Sequence, residues 1–147
     1  MMVLKYIVTV AISLTFLVYW SMLAPYLDTN YLTMLSNILV HAVTPILMMI
    51  DFFLFDRNFK LRKRAVLLTL IPPLYYLIFS LIRAEISSTT LTAGSRYPYW
   101  FIDVDLFGWF GNGNGMGILY WIFLMIFLVL GLGAFFYKVR LQLVKKL

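Results

Sequence analysis

Four long apolar runs divide the chain, and each is long enough to cross a bilayer as an α-helix. They cover about residues 3–24, 31–55, 65–83 and 116–137. About 20 apolar residues at 1.5 Å per residue suffice to span the hydrocarbon core. The pattern predicts an all-α fold: a polytopic transmembrane helical bundle in a single membrane domain, with a long aromatic loop, 84–115, between spans three and four.

The second apolar run carries polar side chains on one face. At about 100° per residue its polar positions fall within roughly 80° of one another on a helix; they are Thr33, Asn37, His41, Thr44 and Asp51. An ionisable group inside hydrocarbon costs at least about 2.5 kcal/mol. This stripe is therefore predicted to face other helices or a water-filled cavity, and to line a ligand site.

Pro45 lies within the same helix, four residues after the only histidine, His41. Proline has no amide hydrogen, so the carbonyl of His41 loses its usual helical partner. The sequence therefore predicts a kink, with a free acceptor beside the histidine.

Further polar positions lie on the first and third spans. Tyr6, Thr9, Ser13 and Trp20 share one face of the first span, which we expect to meet the central stripe. Thr9 and Ser13 either approach His41 or only permit close packing and bond carbonyls of their own helix. A second polar stripe follows the third span, with Arg83 at its end reaching toward the surface; its members are Thr69, Tyr76, Ser80 and Arg83.

The loop 84–115 contains an aromatic segment with two aspartates, Asp103 and Asp105. Such a segment suits a lid at the membrane interface, and we expect Tyr97, Tyr99 and Asp103 to line a cavity beneath it. The Gly-Asn run that follows lacks the Lys-Ser/Thr ending of a phosphate loop, so it is interpreted as a flexible turn. In the fourth span, Gly131 and Gly133 either admit a neighbour or only weaken the helix.

Composition agrees with a membrane protein. The 147 residues are 63% hydrophobic and 12% charged, against roughly 25% charged in soluble domains. The absence of cysteine excludes disulfides, thiolate catalysis and cysteine-ligated metals. His41 and Asp51, about 15 Å apart on one helix, offer no metal ligand set. We expect no metal, no cofactor and no nucleic-acid partner, although haem with one histidine ligand stays open.

Charge placement predicts the topology. Of the twelve lysines and arginines, ten lie at Lys5, in the loop 56–64 and in the tail 138–146. The positive-inside rule then places both termini and this loop in the cytoplasm, with 84–115 outside. The basic loop can also bind anionic headgroups, but a topology signal explains it without further assumption. Pro25 directly after Ala24 argues against a cleaved signal peptide.

Two groups of motifs resemble a known family. One is Asn37-x-x-x-His41-x-x-x-Pro45 followed by an aliphatic run into Asp51-Phe52-Phe53-Leu54-Phe55; the other is Pro73-x-x-Tyr76 followed by YPYWFIDV at 97–104. Over roughly residues 4 to 137 the chain resembles the Pr6Pr family of predicted six-pass bacterial membrane proteins. That family is similar to the androgen-induced and androgen-dependent-TFPI-regulating membrane proteins of animals.

The resemblance implies an intramembrane hydrolase of fatty-acid esters in the bacterial cytoplasmic membrane, with a threonine nucleophile and a histidine that corresponds to His41. The family's threonine precedes the histidine's helix by more chain than this sequence has, so N-terminal spans look to be missing. Thr33 superficially resembles the threonine segment, but eight helical residues separate it from His41 by about 12 Å.

The hydroxyl that would pair with His41 stays open. Base catalysis needs the hydroxyl within about 2.6–3.2 Å of the imidazole. The candidates are Thr9, Ser13, Thr33, Thr69 and Ser80, with Tyr76 as a further hydroxyl of the third span.

Three functions follow as hypotheses. The leading one is a hydrolase of lipid esters with His41 as base. The alternatives are a non-enzymatic membrane protein that binds a lipid or small ligand or carries a solute or proton, and a truncated, inactive or partner-dependent member of the family. Membrane lipids are the expected partners, and helix packing can also support homo- or hetero-oligomers.

Overall fold

A computed structural model describes residues 2–55, 61–87, 90–91 and 94–145, and 77% of it is helical. Within those ranges four helical stretches are long and apolar enough to cross a membrane. They are span 1 (Met2–Tyr26), span 2 (Leu35–Leu54), span 3 (Ala65–Ile86) and span 4 (Ile118–Val144). The predicted all-α fold with four spans is confirmed.

Spans 1 and 2 change helix type along their length. Span 1 consists of α1 (Met2–Val18), a π-helical turn (Tyr19–Leu23) and a 3₁₀ turn (Ala24–Tyr26), and the short α2 (Thr29–Leu32) follows it. Span 2 consists of α3 (Leu35–Ile38), a second π-helical turn (Leu39–Val43) and α4 (Thr44–Leu54).

The remaining elements are simpler. Span 3 is formed by α5 (Ala65–Leu68) and α6 (Ile71–Ile86). The connection that follows contains a 3₁₀ turn (Trp100–Ile102), α7 (Val104–Phe107) and the strands β1 (Gly111–Asn112) and β2 (Gly115–Met116). The last helix is α8 (Ile118–Lys145).

The start of span 2 differs from the sequence prediction. The helix begins at Leu35 rather than at residue 31, because Met34 has extended backbone angles (φ −57°, ψ 131°). Thr33 ends the preceding α2, and its hydroxyl donates to the carbonyls of Thr29 and Asn30 at 3.0 and 3.2 Å. Thr33 therefore does not share a helix with His41, contrary to the expectation.

The chain forms two compact units, and each is described by itself. The first unit contains Met1–Leu70 and Val129–Leu147, and the second contains Ile71–Leu128.

Aromatic side chains form the core of the first unit where α1 packs against α4. Tyr6 and Phe52 are buried, with ring centroids 5.9 Å apart, and Phe136 of α8 lies 6.2 Å from Phe52. The Tyr6 hydroxyl donates to the carbonyl oxygen of Gly133 at 2.7 Å. This bond satisfies a buried phenol that would otherwise cost about 1–3 kcal/mol to bury.

Gly133 lies where α8 comes close to Tyr6 and Thr69. A Cβ there would stand 3.1 Å from Oγ1 of Thr69 and 3.2 Å from the hydroxyl of Tyr6, whereas a Cβ at Gly131 would meet nothing within 4 Å. The sequence left open whether these two glycines let a neighbouring residue approach or only weaken the helix. Close approach of neighbouring residues is found at Gly133 only.

The second unit is organised by short-range polar contacts. Asp103 caps α7 by accepting from the amide of Leu106 at 2.9 Å, and its other oxygen accepts from the hydroxyl of Ser95 at 2.6 Å. A carboxylate at this position satisfies an amide that has no partner within the helix. Asp103 thus fixes the direction in which the chain enters α7.

The Gly-Asn run forms a tight hairpin. β1 and β2 pair antiparallel, with Gly111 opposite Met116 and Asn112 opposite Gly115. Gly111 has φ +102°, where a side chain is strained, and a Cβ there would stand 2.9 Å from the carbonyl oxygen of Gly115. The predicted turn is confirmed, and Gly111 is needed for its backbone path.

Candidate functional site

The only histidine lies against an aromatic ring of the neighbouring span. The imidazole of His41 is stacked on the phenol ring of Tyr19, with centroids 3.9 Å apart and planes at 4°. Tyr19 is 5% exposed, whereas His41 is partly exposed. One face of the imidazole is therefore covered by Tyr19.

The hydroxyl of Tyr19 fixes this arrangement. It donates to Oδ1 of Asn37 at 2.7 Å. Asn37 is itself buried, and its Nδ2 donates to the carbonyl oxygen of Leu32 at 3.3 Å. Asn37 and His41 are four residues apart on span 2, so one face of that span presents both to Tyr19.

The backbone of His41 is held by a second aromatic residue. Nε1 of Trp20 donates to the carbonyl oxygen of His41 at 2.9 Å. This is the oxygen that the sequence predicted to lack a helical partner because of Pro45. The indole thus takes the place of the missing amide, and two successive aromatic residues of span 1 contact one residue of span 2.

Both contacting segments are π-helical, and in both a proline explains the wider turn. The amide of Thr44, directly before Pro45, donates to the carbonyl of Leu39. In the same way the amide of Ala24, directly before Pro25, donates to the carbonyl of Tyr19. A proline ring clashes with the carbonyl four residues earlier, and an i→i+5 bond just before it widens the turn. Single π turns of this kind often occur at functional sites.

One polar atom of the site has no partner. Nδ1 of His41 is buried and forms no hydrogen bond with any residue that the structure describes. Leaving such an atom unsatisfied costs about 1–3 kcal/mol. Depending on the tautomer, it can accept from a hydroxyl or donate to an oxygen.

The candidate nucleophiles of the first unit are engaged elsewhere. Thr9 donates to the carbonyl of Lys5 at 2.8 Å and Ser13 to that of Thr9 at 2.7 Å, so both bond their own helix. Thr69 likewise donates to the carbonyl of Val66 at 2.6 Å. With Thr33 bonded within α2, each of these hydroxyls directs its proton at a main-chain oxygen. For Thr9 and Ser13, this is the second of the two alternatives given by the sequence, in which each hydroxyl bonds a carbonyl of its own helix.

Two further members of the predicted stripe lie apart from the imidazole's contacts. Thr44 is exposed on span 2. Asp51 forms an ion pair with Lys5 of α1, with Nζ and Oδ2 2.5 Å apart and both side chains partly exposed. Residues 56–60 of the basic loop that follows span 2 lie outside the described residues.

The other predicted site residues belong to the second unit. Ser80 is buried in α6, and Tyr76 lies against Tyr99 with ring centroids 6.0 Å apart. Arg83 donates to the carbonyl of Arg96 at 3.3 Å. Tyr97 is buried, with its amide bonded to the hydroxyl of Ser95 at 3.0 Å. A lid over a cavity shared with His41 stays a prediction.

Charges in the second unit are mostly paired. Arg96 binds Asp105 through two nitrogens, at 2.7 and 3.1 Å to Oδ2 and 2.9 Å to Oδ1, and donates to the carbonyl of Ala84 at 3.1 Å. The bonded carboxylate raises the pKa of Arg96. Burial raises the pKa of Tyr99, with a smaller contribution from Tyr76. Burial also raises the pKa of Tyr97, with Asp105 and Glu85 adding to it.

The sequence analysis did not identify Tyr19 as part of the site. It placed Trp20 on the same helical face as Tyr6, Thr9 and Ser13 but did not predict its hydrogen bond to the carbonyl of His41. A signal was available in the proline positions. Pro45 frees the carbonyl of His41 in a membrane helix, and the indole N–H of Trp20 on the preceding span is a donor that can bond it.

Comparison with models of protein families, with curated proteins and with solved structures finds no match. The resemblance drawn from the motifs therefore rests on the sequence alone. Among the described residues no group of three histidine, aspartate or glutamate side chains could hold a metal ion. The imidazole of His41 thus lies between two spans of a membrane protein, stacked on Tyr19 and with its Nδ1 unbonded among the described residues.

Proposed function

We propose that this membrane protein binds a lipid-derived amphiphile, with an oxygen of the ligand bonded to Nδ1 of His41. The observation that carries the proposal is the buried, unbonded Nδ1 on an imidazole fixed by Tyr19 and Trp20. A rigid ring with one unsatisfied nitrogen is prepared to bond a ligand at little further cost in entropy. The surroundings, an apolar span in a bilayer, favour a ligand that partitions into lipid.

Binding is favoured over hydrolysis because of the hydroxyls. The threonine and serine candidates of the first unit bond main-chain carbonyls, and the Tyr19 hydroxyl donates to Asn37. A base must receive a proton from the nucleophile as the nucleophile attacks. None of these hydroxyls presents its proton to His41.

The chain offers a direct test, because it contains one histidine. Protein labelled with ¹⁵N-histidine in nanodiscs gives one pair of imidazole signals. A long-chain fatty acid is the probe, and the alkane of the same chain length is its control. We expect a saturable shift of the Nδ1 signal with the acid and none with the alkane. If the folded protein gives no shift with the acid, or an equal shift with the alkane, the proposal fails.

His41→Phe supplies the matched variant. Phenylalanine retains a ring for Tyr19 and removes both nitrogens, so packing stays while the bond to ligand is lost. We expect binding of a radiolabelled fatty acid to weaken about tenfold, which corresponds to about 1.4 kcal/mol. Thr15→Val, which removes an exposed hydroxyl of α1 bonded to its own helix, is expected to bind as wild type does.

A second candidate is the ester hydrolase implied by the resemblance, favoured by the same free Nδ1. The nucleophile would then be a hydroxyl that turns away from its carbonyl when substrate binds. A fluorophosphonate probe distinguishes the two functions. Labelling of one hydroxyl that His41→Phe abolishes would support hydrolysis, whereas fatty-acid binding without labelling would support binding alone.

We also propose that both termini face the cytoplasm in a bacterial cytoplasmic membrane. The support is the basic clustering at Lys5, at 57–64 and at 138–146. Single cysteines, placed at Asn114 and at Gln142, would test this in intact cells with a membrane-impermeant thiol reagent, since the chain has no cysteine of its own. We expect labelling at Asn114 alone. Labelling at Gln142 alone would mean that the C-terminus faces outward and that the proposed topology is wrong.

A further inference from the structure

A groove lies in the second unit, at the end of span 3. An open groove of about 310 Å³ runs between the last turns of α6 and the segment around α7. Ile82 and Ile86 line it from the helix, and Val104 and Trp109 line it from the segment. This volume lies at the lower end of the range of small-ligand sites.

The groove lies at the end of a span, where the membrane surface is expected. Ile86 is the last residue of span 3 and is 82% exposed. Beside the groove, Trp109 and Phe110 are 46% and 79% exposed. Exposed aromatic side chains at a span end are typical of the headgroup level of a membrane. A bilayer lipid can therefore enter the groove sideways without leaving the membrane.

The groove contains one charge. Glu85 lines it, is exposed, and forms no hydrogen bond or ion pair with any residue in the described parts of the chain. The neighbouring carboxylates differ, because Asp105 is bonded to Arg96 and Asp103 to Ser95. An unpaired carboxylate beside an apolar groove complements a molecule with a cationic head and a hydrocarbon chain.

We propose that this groove binds a membrane phospholipid with a primary ammonium headgroup, the ammonium bonded to the Glu85 carboxylate and one acyl chain lying against Ile82, Ile86 and Trp109. The proposal does not depend on the role of His41, since its residues all belong to the second unit. An ammonium headgroup donates charge-assisted hydrogen bonds to a carboxylate, whereas a glycerol headgroup brings no cation.

The test is photo-crosslinking in nanodiscs that contain phosphatidylethanolamine with a diazirine in its acyl chain. We expect crosslinks in the peptides that contain residues 81–86 and 104–109. Unlabelled phosphatidylethanolamine should compete, and phosphatidylglycerol should compete about tenfold less. Equal competition by phosphatidylglycerol, or crosslinks spread evenly over the four spans, would overturn the proposal.

Three variants make the result specific. Glu85→Gln removes the charge at an exposed position and is expected to reduce crosslinking at the groove about tenfold. Asp28→Asn removes an exposed carboxylate of the turn after span 1 and should leave crosslinking unchanged. Equal crosslinking of Glu85→Gln and wild type, with equal thermal stability, would exclude Glu85 as the headgroup partner. Val104→Trp, which fills the groove, should abolish crosslinking at both peptides even where Glu85 is intact.

Discussion

The imidazole of His41 and the phenol ring of Tyr19 lie face to face at 3.9 Å, almost parallel at 4°. This contact joins spans 1 and 2 at the level of their π-helical turns. Because the Tyr19 hydroxyl is also bonded to Asn37, one side chain contributes a stacking surface and a hydrogen bond to the same neighbouring span.

Substitutions at Tyr19 should separate these two contributions. Tyr19→Phe keeps the ring and loses the bond to Asn37, which we expect to cost about 1 kcal/mol. Tyr19→Leu also loses the stacked ring and should cost about 1 kcal/mol more. Thermal unfolding in detergent measures both, and equal stability of the two variants would contradict a stabilising stack.

Gly133 and Gly131 form a natural matched pair. Gly133→Ala places a Cβ against Thr69 and Tyr6 and should destabilise the protein by about 1–3 kcal/mol. Gly131→Ala enters open space, where alanine's higher helix propensity should stabilise by about 0.5–1 kcal/mol. The midpoints of thermal unfolding should therefore move in opposite directions. Stabilisation of both variants would mean that helix propensity, rather than contact, governs span 4.

Lys5 and Asp51 should be energetically coupled. We expect a coupling of about 1 kcal/mol in a double-mutant cycle built from Lys5→Met and Asp51→Asn, because the two charges are in direct contact and each single variant removes that contact. The cycle is measured by unfolding in detergent. A coupling near zero would mean that lipid headgroups or water solvate both charges equally well.

Tyr99 should make stability depend on alkaline pH. Its pKa is raised above the usual 10.0 by burial, so the folded protein keeps a proton that the unfolded chain releases. The free energy of unfolding is then unaffected by this group below pH 10 and decreases above it, by up to about 1.4 kcal/mol per pH unit. Tyr99→Phe should be less sensitive than wild type between about pH 10 and pH 11; parallel pH profiles would contradict the assignment.

The hydrophobic pattern was sufficient for the four spans, because 20 or more apolar residues leave few structures other than a membrane helix. The break before Leu35 was not predictable from that pattern, since Thr33 and Met34 are both compatible with a helix. The structure places the break at Met34, whose extended backbone angles interrupt the helix.

The candidate site was predictable in part. Pro45 indicated that the carbonyl of His41 would need a new donor, and the structure supplies one in Trp20. That Tyr19 covers the imidazole could not be predicted from periodicity, because at about 100° per residue Tyr19 falls off the face shared by Tyr6, Thr9, Ser13 and Trp20.

The Lys5–Asp51 pair also bears on how the protein is made. Lys5 leaves the ribosome long before Asp51, and each charge alone raises the free energy of transferring its segment into lipid. Joined as an ion pair, the two charges enter at lower cost. Spans 1 and 2 are therefore expected to leave the translocon together as a helical hairpin, with the topology of the N-terminal half decided only after Asp51 has been synthesised.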